Sequence, residues 1–377
     1  MNRITTPETP TQLSVQEKLS KRASWIDEHI ETKLFPGCAI AVHSNGDDGY
    51  LYGGRHDYGD GREYARDTLI DIASITKFEA TSLMIHMLVD QGKISFDQRV
   101  IDFLPKYRGR HKDEVTIFHL MTNSVRPRDT KTQQTKIGAI TGNEIIDLIM
   151  TSDLAYAPGD RYDYNNWNTA VLTLVIEAET GMPFAKAFKE MIAKPLGLVN
   201  THFTPGPRVE VAPTEASSWR GSFPLLGEVH DETSWLIKRD TGRDIGIAGL
   251  FCNAEDLLTV GKALLQPGKL LSEEALDRLF STRVNLKKGE TGSFYGLGAD
   301  RVNADYKCQC FADNTVFMNA FQSSIIMINR KEKLVFVQLS NAVFGGRKQN
   351  DKELEVMRVF RKKFIGEFFR CRECKKY

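Results

Sequence analysis

Hairpin signatures at opposite ends of the chain constrain the fold most strongly. The first joins the apolar run 38–43 to Tyr50-Leu51-Tyr52 through Asn45-Gly46-Asp47-Asp48-Gly49. Asn-Gly between extended apolar runs favours a tight hairpin, because both residues tolerate positive φ. The second pairs 323–329 with 334–339 around Arg330-Lys331-Glu332-Lys333. Between them, 94–229 reads as mainly helical and loop-like, with apolar periodicity around 170–177 and 184–192, and 254–265 is again helical. An amphipathic helix is expected over 14–31, opened by Ser14 with Glu17 in a capping-box pattern, and another over 350–369. The natural topology is an α/β (α+β) protein with strands from both ends and a helical insertion. The expected division is a discontinuous sheet domain over 14–85 and 235–370, a mostly helical domain over 86–234, and a flexible polar tail over 1–13.

Composition narrows the function classes. Of 377 residues, 41% are hydrophobic and 26% charged, which supports a folded core and not a disordered chain. Fifty basic side chains against forty-nine acidic ones leave a formal charge of +1, without the electrostatic footprint of a nucleic-acid partner. No apolar run approaches the roughly 20 residues that span a bilayer, so no membrane partner is expected. The amino-terminal residues lack the apolar stretch of a secretory signal, which points to a cytoplasmic protein. Six cysteines are too few for a disulfide scaffold. Cys308 and Cys310 with Cys371 and Cys374 could hold a structural zinc if the fold brought the pairs together. Their spacing is a weak zinc signal, so reduced thiols and no metal are the expectation.

Chemistry concentrates in two short segments. In Ser74-Ile75-Thr76-Lys77, the apolar run 69–73 hands over to a helix. Positions three apart share a helix face, so the Ser74 hydroxyl and the Lys77 amine can meet. A serine becomes nucleophilic when a neighbouring base takes its proton, and the positive end of a helix favours the developing negative charge. The bland alternative is a capping serine with a solvated lysine. Tyr164-Asn165-Asn166 follows the turn segment Ala157-Pro158-Gly159-Asp160-Arg161. A tyrosine there can relay a proton, and an asparagine amide can orient a lysine and a substrate carbonyl. Its bland alternative is an ordinary loop with a half-buried tyrosine. His230, in Glu228-Val229-His230-Asp231-Glu232, lacks metal-motif spacing and reads as a loop histidine before a substrate contact. Trp167 and Trp235 read as core residues.

Together these segments resemble the serine β-lactamase and penicillin-binding-protein superfamily, in its branch of class C β-lactamases, D-aminopeptidases and family VIII esterases. The similarity is colinear over about 15–345. It includes Phe35-Pro36-Gly37-Cys38, Ile72-Ala73-Ser74-Ile75-Thr76-Lys77, Gly92-Lys93-Ile94, Phe103-Leu104-Pro105, Thr116 to Thr122, Tyr164-Asn165-Asn166, Pro195-Leu196-Gly197-Leu198 and Ala248-Gly249-Leu250-Phe251. The resemblance implies a mainly antiparallel sheet flanked by helices, with a mostly helical inserted domain and no cofactor. It makes Ser74 the acylated nucleophile, Lys77 its proton partner and Tyr164 the second acid/base. Asn166 would bridge Lys77 and a substrate amide. The family's third box, Lys/His-Thr-Gly or Trp-Gly-Gly, aligns with Met318-Asn319-Ala320, which places Asn319 and Phe321 at the substrate. Backbone N–H groups of Ser74 and Phe321 would form the oxyanion hole. Another departure is Thr122-Asn123-Ser124-Val125-Arg126, where Thr-His-Thr-Ser-Gly is typical.

The resulting expectation is a serine hydrolase acting on a small neutral ester or amide, with acyl transfer to another acceptor as a variant. The lost cation disfavours β-lactams and peptides ending in free D-alanine, unless Arg126 or Lys307 replaces it. The competing expectation is a catalytically silent binding protein that keeps the fold. One fewer positive charge beside the serine's proton acceptor also shifts the working range toward alkaline pH. A profile of kcat/KM against pH is expected to keep rising above neutrality; a plateau reached below neutral pH would contradict this.

Overall fold

The computed structural model describes residues 13–59, 61–128, 140–208, 210–216, 220–221, 224–282, 284, 296–301, 314–346 and 364–365. Its strands are β1 (Gly37–Ser44), β2 (Asp47–Gly54), β3 (Ile70–Asp71), β4 (His202–Phe203), β5 (Leu250–Cys252), β6 (Asp300–Arg301), β7 (Thr315–Asn319), β8 (Ile325–Asn329) and β9 (Leu334–Ser340). Both hairpins form and share one antiparallel sheet of order β2-β1-β9-β8-β7-β6. β1 joins them by pairing with β9, with Cys38 opposite Ser340 and Ser44 opposite Leu334. The first turn is shorter than expected. Asn45 (φ 52°) and Gly46 (φ 89°) alone reverse the chain, and Asp47 to Gly49 already lie in β2. Two positive-φ residues suffice for such a turn, and its twist matches the flanking strands.

The apolar run of β1 follows from burial on both faces. Cys38, Ile40 and Val42 meet Val15, Leu19, Ile26 and Phe336 in an outer cluster. Ala39 and Ala41 face the main core, which includes Leu257, Val260 and Val337. Two helices, Val15–Ser20 and Ala23–Glu31, cover the outer face in place of the single helix expected over 14–31. The Ser14–Glu17 capping box is present. Arg22 leaves the helical conformation (φ −115°, ψ 7°), and its guanidinium donates to the Lys18 carbonyl at 2.7 Å, closing the first helix. The helix expected over 350–369 falls outside the described residues except Phe364 and Ile365, which join the outer cluster. Cys308, Cys310, Cys371, Cys374 and Lys307 also lie outside them. Cys38 and Cys252 are buried free thiols.

The middle of the chain supplies a helical layer and one unexpected strand, β4, in a small antiparallel sheet of order β3-β5-β4. At its centre is the Asn166–Thr180 helix, buried continuously from Trp167 to Ile176. Asn165 caps its start, accepting from the N–H groups of Trp167 (3.0 Å) and Asn168 (3.3 Å). Gly181 ends it at φ 64°. Among the described residues no helix is long and apolar enough to cross a membrane.

A helical run continues from Ser74 toward Asp90, but residues Lys77–Ser82 form a π-helical turn before the regular Leu83–Asp90 helix. Such turns leave the i to i−4 ladder and need outside support. Thr81 Oγ1 donates to the Gly246 carbonyl at 3.1 Å, and Gly246 N–H donates to Thr173 Oγ1 at 2.9 Å. The backbone at 246 therefore sits between two helices with no room for a side chain. A Cβ at Gly246 would lie 1.9 Å from Thr81 Oγ1 and 2.6 Å from Phe184 Cζ. Gly246→Ala is expected to cost about 1–3 kcal/mol in chemical denaturation, the usual scale of overpacking. Unchanged stability would refute this account of the packing.

Candidate active site

Ser74 begins the helical run directly after β3 and a strained residue. Ala73 has φ 43°, a left-handed conformation that costs a non-glycine residue roughly 1–2 kcal/mol. Asp71 holds it there, accepting the Ala73 N–H on Oδ1 at 2.8 Å. This Asx-type turn ends the strand and starts the helix within two residues. The Ser74 N–H has no hydrogen-bond acceptor among the described residues, and its side chain is partly exposed. A free backbone donor beside a helix N-terminus suits a developing oxyanion.

Lys77 is only 5% exposed. Its Nζ lies 3.0 Å from Ser74 Oγ and donates to the Ile247 carbonyl at 3.0 Å. The Tyr164 ring stands over the same amine, with its centroid 5.5 Å away. Lys77 thus contacts Ser74 and lies beneath the Tyr164 ring, although the tyrosine is in a different part of the chain. Tyr164 is 41% exposed, so it also borders solvent.

Asn166 is placed differently from the expected bridge to Lys77. Its Nδ2 donates to Asp231 Oδ2 at 3.1 Å. Asp231 also caps the Glu232–Thr241 helix, accepting from Ser234 N–H at 2.8 Å. Lys77 takes its second acceptor from the backbone at 247 instead. A carbonyl accepts from the buried amine as well as an amide oxygen does, leaving Asn166 to tie the tyrosine segment to the neighbouring helix. Asn165 fixes that segment from below, donating through Nδ2 to the carbonyls of Val125 and Asp163, each at 2.9 Å.

The third box falls at the end of β7. Met318 is buried in the main core, Asn319 is the partly exposed last residue of the strand, and Phe321 is 46% exposed in the following turn. The Phe321 ring stacks on His230, with centroids 4.9 Å apart and planes 23° apart. His230 is 4% exposed, and its Nε2 lies 3.0 Å from Glu215 Oε1. Its ring is therefore held by a carboxylate and covered by Phe321, which presents the open surface. Arg126 is bound to Asp163 at 2.5 Å, next to Tyr164, so its charge is already matched. Among the described residues no group of three or more His, Cys, Asp or Glu side chains could hold a metal.

Several residues that build this site escape motif reading: Asp71, Asn165, Glu215, Asp231 and Gln322. Asp71 gave a signal, an acidic residue inside the apolar run 69–73. It is 1% exposed, and burial pushes its carboxyl pKa up against the pull of the His230 and Ala73 N–H groups.

Comparison with known proteins bears on family and fold. The chain is 27% identical to a putative D-alanyl-D-alanine carboxypeptidase of Salmonella typhi, covering 63% of this chain and 60% of that protein. It therefore spans about 60% of the length of the curated relatives it matches. Among solved structures, EstCE1, a hydrolase with promiscuous acyltransferase activity, superposes with a TM-score of 0.72 at 18% identity, over 91% of this chain and 98% of that one. A class C beta-lactamase mutant superposes with a TM-score of 0.69 at 16% identity, over 93% and 98%. These likenesses establish the β-lactamase/transpeptidase-like fold, an antiparallel sheet with helices. With the Beta-lactamase family model matching residues 23–357, the chain belongs to the beta-lactamase family.

Proposed function

We propose that this protein is a serine hydrolase that forms an acyl-enzyme on Ser74 and acts on a neutral ester or amide. The observation that carries the reading is the 3.0 Å contact between Ser74 Oγ and the buried Lys77 Nζ, which is within proton-transfer reach. In this reading Oγ attacks the acyl carbonyl while its proton passes to the Lys77–Tyr164 pair. The carbonyl oxygen gains charge and is received by the N–H groups of Ser74 and Phe321. Collapse of the tetrahedral species breaks the bond to the leaving group, which takes a proton from Tyr164. Water, or a bound acceptor in the transfer variant, then attacks the acyl-enzyme and gives its proton to Tyr164; the Ser74 Oγ–acyl bond breaks, the acid or acylated acceptor leaves, and Ser74 Oγ regains its proton.

Substrate class follows from charge. A carboxylate-bearing substrate needs a cation, and the aligned position holds the buried, neutral Met318. Arg126 is taken by Asp163. Two exposed aromatic rings, Tyr164 and Phe321, favour an apolar acyl or leaving group. The reading is nearer to EstCE1, a hydrolase with promiscuous acyltransferase activity, than to the putative D-alanyl-D-alanine carboxypeptidase of Salmonella typhi.

Intact-mass analysis after incubation with p-nitrophenyl butyrate or a fluorophosphonate tests the nucleophile. A mass increase is expected in the wild type and none in Ser74→Ala. Lys77→Ala should slow labelling by about 10²–10⁴-fold, the range for losing a general base. No adduct with either reagent at neutral or alkaline pH, in folded protein, would favour a silent binding protein. A further expectation is turnover of the neutral ester well above that of a penicillin; comparable rates would overturn the substrate class.

A further inference from the structure

Three chain segments converge on one buried residue outside the Ser74–Lys77–Tyr164 group. Asp71 Oδ1 accepts the Ala73 N–H at 2.8 Å, and its Oδ2 accepts the His230 N–H at 2.9 Å. The backbone carbonyl of Asp71 accepts the side-chain amide of Gln322. Each contact reaches a neighbour of the proposed oxyanion donors: Ala73 precedes Ser74, Gln322 follows Phe321, and the His230 ring stacks on Phe321. Residues 71, 230 and 322 are remote in sequence, and each is at most 4% exposed. Buried hydrogen bonds of this kind are costly to break, because the groups left behind find no water.

We infer that Asp71 is a positioning residue that fixes the Ser74 N–H and the Phe321 N–H relative to each other, so that both can receive one oxygen. The inference rests on the proposed acyl-enzyme chemistry. An oxyanion hole is effective only if its donors are preorganised, and one donor is worth about 10²–10³-fold in rate. The two donors here belong to different segments, the helix start after β3 and the turn after β7. Strand pairing does not join these segments directly, since β3 and β7 lie in different sheets. Asp71 supplies the connection: its carboxylate sets the turn before Ser74, and its carbonyl anchors the turn carrying Phe321. It touches no substrate in this account and acts through the residues it holds.

Two substitutions test the bracket. Asp71→Asn keeps the shape but replaces one of two acceptors with a donor that faces an N–H group. Gln322→Met keeps the volume and removes the amide that reaches Asp71. Both variants are expected to reduce kcat for p-nitrophenyl butyrate about 10- to 100-fold with KM within about threefold of wild type. Phenylboronic acid, whose adduct on Ser74 is tetrahedral, should bind more weakly by a similar factor. A merely structural role would lower the folded fraction without this parallel loss. If Asp71→Asn does not fold, Gln322→Met carries the test by the same readouts. Wild-type kcat and boronate affinity in the folded variants would overturn the inference alone. Failure of the wild type to label at Ser74 would overturn the proposed function, and this inference with it.

Discussion

A buried lysine amine needs acceptors, and at Lys77 these come from Ser74 and from a carbonyl 170 residues further along the chain. The 3.0 Å contact to Ile247 depends on the close approach of the 246–247 backbone to the π-helical turn. That approach is possible because Gly246 has no side chain, and because Thr81 and Thr173 satisfy its carbonyl and its N–H. The chemistry of the site therefore rests on a backbone segment with no part in the reaction. An amine left without partners at this depth would cost free energy, so the segment and the lysine stabilise each other's positions.

Around this contact, the site is assembled from side chains that each bridge two elements. Asp231 caps one helix and holds Asn166 at the start of another. Asn165 caps its own helix and secures the loops at Val125 and Asp163. Arg126 and Asp163 pair beside Tyr164, and Glu215 holds the His230 ring on which Phe321 lies. Tyr164 and Phe321 are left as exposed aromatic rings. Relatives by resemblance place a cation at the position of Met318, whose side chain here belongs to the core. The loss concerns what the site can bind more than whether it can react, because the groups proposed to react are the serine, the lysine, the tyrosine and backbone N–H donors.

Much of the fold was legible in local patterns. The two hairpins, the Ser14–Glu17 capping box and the helical periodicity around 170–177 follow from turn chemistry and patterning over a few residues. Where reading failed, a tertiary demand had intervened. The amino-terminal helix divides at Arg22, where the chain leaves helical geometry between two segments that both pack on the sheet. The helical run after Ser74 takes a π turn whose supporting acceptor lies at Gly246. Asn166 turns to Asp231, a partner whose proximity spacing cannot express.

By itself the sequence determined the chemistry on offer: a serine and a lysine three residues apart on a helix, a Tyr-x-Asn segment, a near-neutral charge and no cation in the third box. These are local or compositional properties, fixed by helix geometry and residue type. Tertiary structure decided how the groups meet. It brought Tyr164 over Lys77, supplied the carbonyl of Ile247, and joined the Ser74 and Phe321 segments through Asp71. Hydrogen bonds between segments far apart in the chain leave no periodic trace. They form only when burial of the surrounding core brings the segments together and removes the water that would otherwise compete for them.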